Sequence, residues 1–119
     1  MSLPINYSLF VSRLVKSGQD ILDSLTPEKC NQWHLASGIS GEAGELSDAF
    51  KKYIVYNKPL DRENVIEELG DIEFFVEAIR QSIGVTREEV LDTNYQKLCV
   101  RYNKGYSDEA AQIRADKLS

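Results

Sequence analysis

A chain of 119 residues with 42% hydrophobic and 28% charged side chains has the make-up of a single globular domain, large enough to bury a core and small enough to gain from assembly. A formal net charge of −5 argues against nucleic acid or an anionic membrane as main partner, and no apolar run nears the roughly 20 residues that cross a bilayer. Residues 1–6 hold no basic stretch leading into an apolar one, and Cys30 and Cys99 lack metal-ligand spacing, so the expectation is a cytoplasmic protein with reduced, partly buried thiols.

The apolar period is helical throughout. Tyr7, Phe10, Val11, Leu14, Val15, Gly18, Ile21, Leu22 and Leu25 fall at three- and four-residue steps and predict one amphipathic first helix. Thr26-Pro27 restarts the chain, with Thr26 as N-cap and Pro27 in the first helical position. The second helix runs to about Tyr56, with a core stripe of Trp33, Ile39, Ala43, Leu46, Phe50 and Tyr53. Gly38, Gly41 and Gly44 weaken it, which points either to a break, to tight helix packing, or to something approaching the backbone closely.

Asn57-Lys58-Pro59-Leu60 is a loop, and Asp61 caps a third helix whose stripe is Val65, Leu69, Ile72, Val76, Ile79 and Ile83. Gly84 stops it, and Thr86-Arg87-Glu88-Glu89 is a capping box with Val85 and Val90 as its staple. The fourth helix reaches about Tyr102. Lys104-Gly105-Tyr106 turns, Ser107 caps a short last helix, and the tail from about Arg114 is expected to fray. No segment alternates as a strand, so the expected fold is all-α: a bundle of four main helices plus a short C-terminal helix, with its core at about 6–106 and a tail at about 107–119.

Two acid-x-x-acid steps stand out: Glu42-Ala-Gly-Glu45 on the second helix and Glu68-Leu-Gly-Asp71 on the third. Residues three apart on a helix are neighbours, so each step sets two carboxylates side by side. A solvated acidic face alternates with Lys or Arg four residues on. Here Glu42 and Glu45 meet Leu46 and Ala49 at that spacing, and Glu68 and Asp71 meet Ile72 and Phe75. Four carboxylates brought together repel unless a cation lies between them. The single histidine, His34, rules out paired Glu-x-x-His di-iron steps, and there is no EF-hand loop or zinc spacing, which leaves Mg²⁺ or Mn²⁺.

Asn94, Lys97 and Arg101 form a stripe of donors on the fourth helix, with Tyr102 and Lys104 behind. Donors opposite metal-binding acids suit a polyphosphate ester, and a solvated basic face would present the same stripe. Lys51-Lys52 could add charge. Trp33 could stack on a base and His34 read its edge, although a core tryptophan and an ordinary histidine fit those positions too.

Gly38-Ile-Ser-Gly-Glu42-Ala-Gly-Glu45-Leu, Glu67-Glu68-Leu-Gly-Asp71 and Asn94-Tyr-Gln-Lys97-Leu-Cys-Val-Arg101-Tyr102 together resemble the MazG-like nucleoside triphosphate pyrophosphohydrolases, over roughly Trp33 to Tyr106. The resemblance implies metal-dependent cleavage of a (deoxy)nucleoside triphosphate to the monophosphate and pyrophosphate. Glu42, Glu45, Glu68 and Asp71 match the metal ligands, with two or more ions in the site. Glu42 or Glu45 would serve as base, and Asn94, Lys97, Arg101 and Tyr102 would contact substrate. It also implies a homodimer or homotetramer whose subunits complete the bundle. Gly41 stands where longer forms of the motif can carry a second acid, which leaves the metal number open. A non-catalytic helical module that binds a nucleotide or protein around a structural metal, and a hydrolase of other phosphate esters, are the competing readings.

Overall fold

The computed structural model describes residues 6–117, so the expectations for residues 1–5 and 118–119 lie outside the described residues. The elements are α1 (Tyr7–Leu14), α2 (Gly18–Asp23), α3 (Pro27–Ile54), α4 (Arg62–Ile83), α5 (Arg87–Arg101), α6 (Asp108–Ile113) and a 3₁₀ turn (Ala115–Lys117). Among the described residues there is no β-strand; the fold is all-α.

The expected first helix is two helices. Extended backbone at Val15 ends α1, and the Ser17 side chain accepts from the Asp20 N–H to begin α2 with Gly18 in its first position. A serine can offer its hydroxyl to the backbone in place of the helical ladder, and an apolar period does not register that competition. The other starts are where the sequence puts them. Thr26, Asp61, Thr86 and Ser107 each accept from the N–H three residues on, and Gly84 closes α4 at φ 72°, the left-handed conformation that glycine adopts freely.

α3 and α4 form an antiparallel hairpin. Gly38 meets Phe75, Gln32 reaches the carbonyl of Ser82, and Glu42 meets Asp71, so contacts climb one helix as they descend the other. α3 runs unbroken through its glycines. Gly38 takes the tight-packing role, for a Cβ built there would lie 2.6 Å from the Phe75 ring, whereas Gly41 and Gly44 face open space.

The buried face of α3 differs from the expected stripe. Leu35 and Ala49 are buried and Gly38, Ile39, Glu42 and Leu46 half-buried, while Trp33, Ala43, Phe50 and Tyr53 are exposed. On α4 the half-buried Glu68, Ile72, Phe75 and Ile79 share one face, and Leu69 and Ile83 stay outside. Glu42 and Glu68 therefore ride on the packed face, because a glycine that admits an aromatic ring brings the backbones closer there than larger residues would. Cys30 and Cys99 are also exposed, not partly buried.

The hairpin leaves much uncovered. The accessible surface is 9947 Å², against roughly 6500 Å² for a compact monomer of this mass. The radius of gyration is 20.5 Å, where a compact chain of this length has about 13–14 Å. α5 packs chiefly on α6 and the 3₁₀ turn. Among the described residues the chain continues past Arg114 as the 3₁₀ turn, with Asp116 paired to Arg101.

Candidate metal centre

Oxygens of Glu42, Glu68 and Asp71 lie within 4.8 Å of one another, two helices contributing to one cluster. Glu42 and Glu68 are half-buried and Asp71 exposed. Glu45 is exposed and falls outside this trio, though its charge reaches Glu68. The hairpin supplies the convergence: Gly38 against Phe75 fixes the spacing and register one turn from Glu42.

The electrostatics set Glu68 apart. Its Oε2 is sealed from solvent and meets no donor. Its carboxyl is raised to about 7, first by a hydrogen bond shared with Glu42, then by burial, then by the charges of Glu42, Glu45 and Asp71. Glu77, on the same helix, shows the contrast. Arg80 Nε and Nη2 reach its Oε2 at 2.9 and 2.5 Å, and those bonds, with one from Gln81, hold its carboxyl below the usual range.

Among the described residues none of Glu42, Glu45, Glu68 and Asp71 has an ion-pair partner. Lys52 pairs with Asp48 at 3.1 Å, and Lys51 lies 5.8 Å from the centre of the Tyr56 ring, so neither assists the trio. A buried, donorless oxygen among like charges is what a hard cation with oxygen preference relieves. The donor set fits such an ion.

The fourth-helix residues are not gathered with the acids. Asn94 is exposed and Lys97 half-buried, and no hydrogen bond or ion pair among the described residues links either to the trio. Arg101 donates through Nε to Asp116 Oδ1 at 2.9 Å, and the Tyr102 ring lies 5.4 Å from that of Tyr106. Trp33 is 75% exposed, so it is no core residue. With Ile21, Leu25, Lys29 and Cys30 it lines an apolar cavity of about 550 Å³ between α2 and α3. His34 is exposed and outside the acid cluster. Sequence reasoning missed Asp116, which lies 15 residues from its partner and leaves no periodic trace.

Residues 31–106 match the MazG nucleotide pyrophosphohydrolase domain, more than half of the chain. The chain belongs to that family. No curated protein and no solved structure matches it. The MazG span contains both acid steps and the donor stripe, and it ends at Tyr106, just before the segment that carries Asp116.

Proposed function

We propose that the protein is a metal-dependent nucleoside triphosphate pyrophosphohydrolase that releases the monophosphate and pyrophosphate. The observation that carries this reading is the trio of carboxylates from two helices with no cationic partner and with Glu68 raised to about 7. Membership of a nucleotide pyrophosphohydrolase family supports the substrate class.

Glu42, Glu68 and Asp71 would hold Mg²⁺ or Mn²⁺, with Glu45 at the edge of the set. Bound there, the cation supplies charge neutralisation and polarises phosphate oxygens. Phosphoryl-type displacement depends on positioning and on charge more than on covalent help. Glu45, outside the converging trio, is the carboxylate free to orient the attacking water and take its proton, while Glu42 shares its bonding with Glu68. The open space over Gly41 and Gly44 leaves room for water and phosphate beside them. Lys97 and Arg101 would hold phosphate oxygens, Asn94 and Tyr102 the phosphate or sugar, and Trp33 and His34 would meet the base.

The donor stripe and the acids belong to separately packed parts of the chain, so a second copy is the natural means of joining them. The surface excess of roughly 3400 Å² over a compact monomer has the size of an obligate interface. We read the working form as a homodimer or homotetramer in the cytoplasm, with the net charge of −5 set against nucleic acid and membrane partners. Among the described residues no helix is long and apolar enough to cross a membrane.

The test is a panel of canonical and modified nucleoside triphosphates with Mg²⁺, scored for pyrophosphate and for orthophosphate. Pyrophosphate from at least one of them supports the reading. Metal-dependent nucleotide binding without turnover across the panel overturns it in favour of a binding module.

A further inference from the structure

Arg101, the last residue of α5, carries a guanidinium that is already engaged. Asp116 Oδ1 accepts from its Nε at 2.9 Å, and the two side chains are only 15% and 7% exposed. A carboxylate on a guanidinium makes the same kind of charge-assisted bond that a phosphate oxygen would. The closure is incomplete, however. Arg101 Nη2 and Asp116 Oδ2 are both sealed from solvent and neither has a hydrogen-bond partner. Lys117 Nζ stands 3.9 Å from Oδ2, beyond hydrogen-bond reach. A donor and an acceptor left unsatisfied by the same contact oppose it, so the pair resists opening less than its burial suggests.

The segment that delivers Asp116 is slight. It consists of the six-residue α6 and a single 3₁₀ turn, joined through Arg114 in the left-handed conformation at φ 52°. Its packing is chiefly on α5, and it begins where the family match ends. An element with one main partner and few residues can leave as a unit without disturbing the α3–α4 hairpin.

We propose that residues 107–117 form a displaceable strap whose Asp116 occupies Arg101 until a phosphate group takes its place. The strap is an internal competitor at one of the donors that the proposed function assigns to substrate, and it rests on that reading of Arg101. While it is closed, Nη2 is out of reach of any ligand, and only the open fraction binds phosphate through this residue. Apparent affinity is then the intrinsic affinity reduced by that fraction.

The experiment uses the full-length protein without metal and inorganic pyrophosphate as the probe, at matched ionic strength. Calorimetric titration of Asp116→Asn and Asp116→Ala is expected to show pyrophosphate binding about tenfold tighter than in the wild type, as for a strap closed in roughly nine molecules of ten. Hydrogen exchange of the wild-type chain is expected to speed up in residues 108–117 on adding pyrophosphate, and that readout does not depend on any variant folding. Unchanged or weaker binding in both variants, or unchanged wild-type exchange, overturns the strap and leaves Asp116 a fixed support. Triphosphate turnover with an inert strap would sink only this inference. A responsive strap without turnover would sink only the proposed reaction.

Discussion

Replacing Gly38 with alanine tests the geometry that brings the acids together. In a helix interior the exchange by itself stabilises by about 0.5–1 kcal/mol, because glycine loses the most backbone freedom on folding. At Gly38 the added Cβ would lie 2.6 Å from the Phe75 ring, whose Cδ1, Cε1 and Cζ positions are all within 2.7 Å. Overpacking a fitted contact costs about 1–3 kcal/mol, so Gly38→Ala is expected to be net destabilising by about 0.5–2 kcal/mol. Gly44→Ala meets nothing within 4 Å and is expected to stabilise by about 0.5–1 kcal/mol. At roughly 4 °C per kcal/mol the two variants should melt about 4–12 °C apart, in opposite directions from the wild type. Thermal and urea unfolding at one fixed protein concentration, without metal, is the assay. A double-mutant cycle with Phe75→Leu should recover part of the loss, because the smaller side chain can yield. Gly38→Ala as stable as Gly44→Ala would mean that the helices do not approach at this point, and the placing of the trio would fail with it.

The remaining expectations concern charge and assembly. Since the folded state holds the Glu68 proton up to about 7 against an ordinary 4.5, it binds more protons than the unfolded chain between those values, and metal-free stability should fall as pH rises through that window. Glu68→Gln should flatten the fall, and a wild-type melting temperature constant from pH 4.5 to 7 would contradict the clustering. Asp71→Asn should lower pyrophosphohydrolase activity by at least about a hundredfold while raising metal-free stability, as one repelling charge is removed. Equal thermal protection of Asp71→Asn and wild type by Mg²⁺ would place the cation elsewhere. Light scattering at micromolar concentration should find a dimer or tetramer, and a stable monomer would leave the uncovered surface without an explanation.

Much of the fold was legible because its signals are local. Thr26, Asp61, Thr86, Ser107 and Gly84 each act on the backbone within a few residues, and each stands where it was expected. The break at Ser17 was not, because apolar residues recur on both sides of it at helical spacing. The packed face of α3 was misread for a different reason. Counting apolar residues favours the Trp33–Tyr53 stripe, but the close approach is decided by the residue with no side chain, Gly38, and that carries Glu42 and Glu68 inward. The acid steps themselves were visible from spacing alone, whereas the ring beside them and the carboxylate on Arg101 come from chain folding over longer distances.

Glu42, Glu68 and Asp71 all sit on one hairpin spanning residues 27–83, joined by the short connection at 55–61. Their meeting is thus a first-order event, indifferent to how much protein is in the tube. If α5 donors reach them only from another copy, the two halves of the chemistry respond differently to dilution. Cation uptake would persist in separated chains long after turnover had vanished.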